Sequence, residues 1–176
     1  WKKRTLGAAF AKDIGGLTLR SEAILFGFDE DYNEREDRHH LQAGLGFEYA
    51  FSEKLSLIDE FLFIEQGETD RGNYKAHPKS RYTSFLARYY NFIQFKYQLT
   101  PFWNVYFSTL QNFIDFSNYA IFKVEHSFNE NIELFFDFFA PTGKHEREFS
   151  SRAIFFPNGT SIGAPLQIDL GVKFYF

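Results

Sequence analysis

From Leu166 to Phe176 the chain alternates strictly. Leu166, Ile168, Leu170, Val172, Phe174 and Phe176 fall on one side, and Gln167, Asp169, Gly171, Lys173 and Tyr175 on the other. Successive side chains of an extended strand point to opposite faces, so a period of two makes one face apolar and the other mostly polar. A helix turning every 3.6 residues scatters such a pattern around its axis. Leu41, Ala43, Leu45, Phe47, Tyr49 and Phe51 repeat it against His40, Gln42, Gly44, Gly46, Glu48 and Ala50. Ile132, Leu134, Phe136 and Phe138 repeat it again against Glu133 and Asp137.

The apolar residues are plentiful but never gathered. Of 176 residues 44% are hydrophobic and 25 are Phe, yet the mean hydropathy is −0.34. No run approaches the roughly 20 apolar residues that a spanning helix needs. Alternating segments of about 9–11 residues suffice for a tilted spanning strand. If the chain meets a membrane, it does so with strands. A net charge of −4 lacks the basic excess that nucleic-acid binding requires. With no Cys, disulfides and thiolate metal sites are closed off. The opening Trp1-Lys2-Lys3-Arg4, without Met or leader, reads as a mature or truncated start.

Nine strands are expected, at 4–11, 17–28, 38–51, 55–66, 81–99, 102–114, 118–128, 131–140 and 165–176. Ser52-Glu53-Lys54, Thr100-Pro101 and Asn129-Glu130-Asn131 are tight connections, whereas Asp29–Asp37, Gly67–Ser80 and Pro141–Pro165 are long and polar. Short turns on one side and long loops on the other are what membrane barrels show. The expected fold is therefore all-β, a transmembrane antiparallel β-barrel, with residues 1–176 forming one domain or the C-terminal segment of one. Bacterial single-chain barrels have even strand numbers. Nine strands thus imply part of a larger barrel, with at least one strand upstream. Two segments resist a simple reading. Asp59 and Glu60 fall on opposite faces of strand 55–66, which suggests a bulge or another register. The stretch Tyr82 to Leu99 is long enough to project beyond a bilayer.

The ending Gly171-Val172-Lys173-Phe174-Tyr175-Phe176 resembles the C-terminal signal by which outer-membrane barrels are recognised for insertion. Gly171, Phe174 and Phe176 carry the likeness, while Leu170 stands where that signal prefers a polar residue. The stretches Leu45 to Leu55, Gln98 to Trp103 and Asn112 to Ser117 resemble the C-terminal halves of proteobacterial porin-like proteins. The resemblance covers most of the chain. It implies the outer membrane of a Gram-negative bacterium, with a periplasmic C-terminus and lipid and lipopolysaccharide as surroundings. It also implies the barrel-assembly machinery as a partner during insertion, and upstream strands or another chain to close the barrel. It brings no catalytic residue, cofactor or metal.

The expected function is a porin-like channel for passive diffusion of ions or small hydrophilic solutes. Inward polar residues would set its selectivity. On the early strands these are Arg20, Glu22, His40, Gln42 and Glu48; further along they are Gln94, Lys96, Lys123, Glu125, Glu133 and Asp137. Gln167, Asp169 and Lys173 complete them. The long loop holding Lys144, His145, Glu146, Arg147 and Glu148 either folds inward as a constriction or stays solvated outside.

A structural or surface-binding barrel with a blocked lumen is the alternative, and an outer-membrane lipid hydrolase a more distant one. For the latter, His126-Ser127 is the one adjacent pair, and strand neighbours diverge. Asp29 to Asn33 echoes the start of a calcium loop, but Glu34 and His40 occupy its glycine and glutamate positions. Tyr49, Phe51, Phe102, Trp103, Tyr175 and Phe176 read as interfacial girdles. Replacing Leu170 or Val172 by Lys is expected to destabilise the inserted protein by about 2–4 kcal/mol, with no such cost at Gln167. Equal costs at both faces, in equilibrium unfolding from lipid vesicles, would show the assigned register to be wrong.

Overall fold

Gly15 and Gly16 both lie in left-handed backbone, at φ 56° and 87°. Two consecutive residues of that kind make the two-residue turn whose twist matches the strands it joins, so Leu17 folds straight back onto Ile14. The hairpin is β1 (Lys3–Ile14) and β2 (Leu17–Phe28). The meander continues through β3 (His39–Ala50), β4 (Leu55–Ile64), β5 (Tyr89–Thr100), β6 (Trp103–Asn112), β7 (Asn118–Asn129) and β8 (Ile132–Pro141). Two short strands, β9 (Ile154–Phe155) and β10 (Ser161–Ile162), form a separate small ladder in the last loop, and β11 (Gln167–Phe174) returns to the main sheet beside β8. The structure is a computed structural model that describes residues 3–28, 39–74, 85–144, 147–150, 154–155, 161–162 and 164–175.

The result is one nine-stranded antiparallel sheet in the order β1-β2-β3-β4-β5-β6-β7-β8-β11. It is open, because β1 pairs only with β2 and β11 only with β8 among the described residues. Among those residues the 3-10 turn Arg71–Asn73 is the one helical element. The turn at Gly15–Gly16 and those at 51–54, 101–102 and 130–131 lie at one end of the strands, the turn end. The opposite end, the loop end, carries the long connections. One loop-end connection, 113–117, departs from the expected alternation because it spans only five residues.

Two expectations are corrected. β4 contains no bulge: its register against β3 and β5 runs unbroken, so Glu60 and Asp59 truly face opposite sides. Asp59 tolerates the apolar face because Asn91, on β5, donates its side-chain N–H to that carboxylate. β5 begins at Tyr89 rather than near residue 81, and residues 81–84 lie outside the described ones. Upstream of Tyr89 the chain leaves the ladder to bridge Glu68 in parallel: Glu68 N donates to Leu86 O at 2.8 Å and Arg88 N to Glu68 O at 3.0 Å.

The buried apolar residues, Ile64, Tyr74, Ala87, Tyr90 and Phe149, sit together at the loop end. There the described residues between β4 and β5 and those following β8 pack over the sheet. Gly171 lies opposite Phe135 in the ladder, and a Cβ added to it would stand 2.3 Å from the ring. Gly171→Ala is therefore expected to destabilise the sheet by about 1–3 kcal/mol through overpacking. Urea unfolding of detergent-refolded protein measures this, and Phe135→Leu should restore most of the loss.

Candidate functional site

Antiparallel register fixes which residues share a face. His40 opposes Phe26, Gly44 opposes Glu22, Gly46 opposes Arg20 and Glu48 opposes Thr18, so the alternating residues of β2 and β3 that include Arg20, Glu22, His40, Gln42 and Glu48 form one side. Continuing across the ladders, Gln94 and Lys96 join that side from β5, Lys123 and Glu125 from β7, and Glu133 and Asp137 from β8. Gln167, Asp169 and Lys173 join it from β11. All fourteen residues picked out by alternation thus occupy a single face of the sheet. Asp13 on β1 and Glu60 on β4 belong to it as well, although neither was counted among the inward residues from the sequence.

The opposite face is one that a water-soluble sheet would bury. On the other face Leu6 is 74% exposed and Leu170 77%, with Phe10, Leu45, Phe95, Phe107 and Val172 also exposed. On the polar face the side chains of Glu125 and Glu133 are only 13% and 19% exposed. Sheltered charges need partners. Lys173 Nζ lies 2.6 Å from Glu133 and 3.6 Å from Glu125, and Lys123 Nζ lies 2.7 Å from Glu125. Arg20 pairs with Glu48, Gln94 donates to Ser108 Oγ at 2.9 Å, and Gln167 donates to Asp169 at 2.7 Å. Lys96 and Lys123 lie over the Tyr106 ring, 5.7 and 5.8 Å from its centre. His40 is buried and stacks on Phe26 at 4.5 Å.

The face is not uniform along the strands. Its charges lie mainly between the turn end and the middle, while Leu62, Ile64, Tyr90 and Leu110 make its loop end apolar and pack beneath the loops. Eight carboxylates reach this face from the described strands, at positions 13, 22, 48, 60, 125, 133, 137 and 169. Among residues whose burial is described four cations do so, Arg20, Lys96, Lys123 and Lys173, leaving an acidic excess.

Residues 147–150 of the loop after β8 lie on this face, and of the charged residues named in that loop only the last is buried among the described ones. Lys144 is exposed, and His145 and Glu146 lie outside the described residues. Among the described residues Arg147 donates its side chain to the Phe116 carbonyl, at 3.5 Å. The buried member is Glu148. Its carboxyl accepts from Leu86 N at 2.8 Å, Tyr90 Oη at 2.6 Å and Asn112 Nδ2 at 2.7 Å. Its own N–H donates to Asp115 Oδ2 at 2.8 Å. Asn112 also donates to Tyr74 Oη, and Ser117 Oγ accepts from Phe149 N at 3.2 Å. Burial pushes the Glu148 carboxyl up to about 7 and also pushes the Tyr74 phenol up.

Tyr49, Phe51, Phe102, Trp103 and Tyr175 are exposed at the turn end, with Tyr49 and Phe51 packed edge to face at 4.9 Å. Phe176 and the acidic stretch Asp29 to Asn33 lie outside the described residues. His126 stacks on Trp103 at 4.2 Å on the apolar face, while Ser127 shares the opposite face with Glu133. They do not meet. Gly171 and Phe174 lie in β11, with Phe174 exposed on the apolar face. Among the described residues no group of His, Asp and Glu is arranged to hold a metal ion.

Comparisons with known protein families, with curated proteins and with solved structures give no match. What the chain does must therefore be argued from its own geometry. A first quantity to measure is the strength of the charge pairs. Lys173 is 41% exposed, so water screens it, and a double-mutant cycle of Lys173→Met with Glu133→Gln should give a coupling of about 0.5–1 kcal/mol. The same cycle with Glu48→Gln should be additive.

Proposed function

We propose that this chain forms the wall of an outer-membrane channel for passive diffusion of small hydrophilic solutes, with a preference for cations. The observation that carries the reading is the division of the sheet: large apolar side chains exposed on one face and charges gathered on the other, where Glu125 and Glu133 are sheltered. Water penalises such an apolar face, whereas hydrocarbon does not, and a water-filled interior accommodates the charged one. Aromatic residues exposed at the turn end fit the level of lipid headgroups. The acidic excess on the polar face supports the cation preference, because fixed charge of one sign raises the local concentration of counter-ions.

Closing such a wall needs more backbone. In hydrocarbon an unpaired strand edge leaves each N–H and C=O without a partner, at several kcal/mol apiece. β1 and β11 both run from the loop end to the turn end, so neither completes an antiparallel cylinder with the other. A strand running the opposite way, from this protein or another chain, pairs antiparallel with both. The barrel-assembly machinery is the partner that the C-terminal strand implies during insertion.

A second reading, a structural or surface-binding barrel with a blocked lumen, is favoured by one observation. The loop-end cluster around Tyr90 and Phe149 covers the polar face there. Conductance separates the two. The full-length protein in a planar bilayer should give discrete conductance steps. Its reversal potential in a salt gradient should be cation-selective, and that selectivity should weaken when Glu22, Glu48 and Glu60 are replaced by Gln. Absence of conductance at every voltage would leave the blocked barrel standing.

A further inference from the structure

Three stretches far apart in sequence meet at Glu148: residues 85–88 before β5, the connection 112–117 between β6 and β7, and the loop after β8. Glu148 is 8% exposed, and Asn112 and Ser117 are fully buried. The contact reaches beyond one side chain. Gly143 N donates to Phe149 O at 2.7 Å and Ala164 N to Ser150 O at 3.1 Å, so the docked segment is held on both flanks by backbone bonds. It covers the apolar end of the polar face, against Tyr90 and Tyr119.

We propose that Glu148 is a proton-operated clasp. Its carboxyl, seated in the socket of Leu86, Tyr90 and Asn112, holds residues 147–150 of the β8–β11 connection across the loop end of the polar face, and uptake of one proton tightens that hold.

The socket explains why a proton matters. Each element around the carboxyl contributes a named group: Tyr90 from β5, Tyr74 from the stretch after the 3-10 turn, and Asp115 from the β6–β7 connection. Of these only Asp115 is ordinarily charged, and its sign is the same as that of an ionised Glu148. Arg147, the neighbouring cation, turns toward the Phe116 carbonyl instead. Three donors stabilise the ionised form, but burial and Asp115 oppose it and prevail. Released into water, the carboxyl returns to its ordinary range. The docked state therefore binds the proton more tightly than the released one. Docking is at full strength below the ordinary carboxylate range and weakens as pH rises to about 7, by about tenfold for each unit.

The electrical consequence rests on the channel reading, but docking itself does not, so two measurements are needed on the full-length protein. Single-channel recording in planar bilayers should show less open time at about pH 5.5 than at about pH 8. Glu148→Gln, a neutral isostere, should stay closed at both, and Glu148→Ala should open at both. Hydrogen exchange in detergent, corrected for the intrinsic pH dependence of the chemistry, should show amides 85–88 and 147–150 better protected at the lower pH in the wild type. Glu148→Gln should be protected at both pH values and Glu148→Ala at neither. Changing protection without any conductance would uphold the clasp and sink the channel. Steady conductance with protection indifferent to pH and to Glu148→Ala would sink the clasp and leave the channel. Persistence of the full pH effect in Glu148→Gln would also overturn it, since another group would then be titrating.

Discussion

An antiparallel ladder running from β1 to β11 assigns nearly every strand side chain to one of two faces, with register shifts only at Gln98/Thr100 and Ser127/Asn129. A slip of one residue in any strand would carry its charges to the apolar side. Facing thus has to be right in all nine strands at once, and it is fixed by hydrogen bonds that do not depend on which side chains are present. The ion pairs of the polar face are consequences of this geometry. Lys173 meets Glu133 because the two are directly opposed across β11 and β8. Arg20 reaches Glu48 diagonally from β2 to β3.

The two ends of the sheet are built on different principles. At the turn end the connections are local: Ser52 Oγ accepts from the N–H groups of Lys54 and Leu55, and Thr100 Oγ1 accepts from Phe102 N. At the loop end the connections hold one another. Buried polar networks are worth most when every member is satisfied and cost most when one is removed. The group around Glu148, Asn112, Asp115 and Ser117 is such a network. The brevity of the 113–117 connection leaves space above β6 and β7 for the following loop to settle there. Phe116 is strained to a φ of 57° in making that short turn, and its carbonyl accepts from Arg147 of the docked segment.

Alternation alone reveals the sheet, the sharing of a face by the fourteen charged and polar candidates, and the turn-end aromatics, because each depends on neighbours two residues apart. Where the answer depends on distant partners, the sequence is silent. Asp59 looks like a register error until Asn91, 32 residues on, is seen beside it. The apolar run before Tyr89 looks like strand until its pairing with Glu68 draws it off the ladder. Glu148 is the sharpest case. It closes a run of charged residues whose local pattern leaves docking and solvation equally open, and its partners lie 33 to 62 positions away. The stretch Asn112 to Ser117, first notable as a resemblance, turns out to be the platform for that contact.

The direction of the two open edges has a consequence for how such a wall can vary. Inserting or deleting a hairpin changes the count by two and leaves both edges pointing as before. In the proposed barrel the circumference, and with it the diameter of the lumen, is therefore free to change in steps of one hairpin without any change at the seam. Width and closure are separate variables in such a barrel: the first is set by how many hairpins the meander contains, the second by a strand of opposite direction.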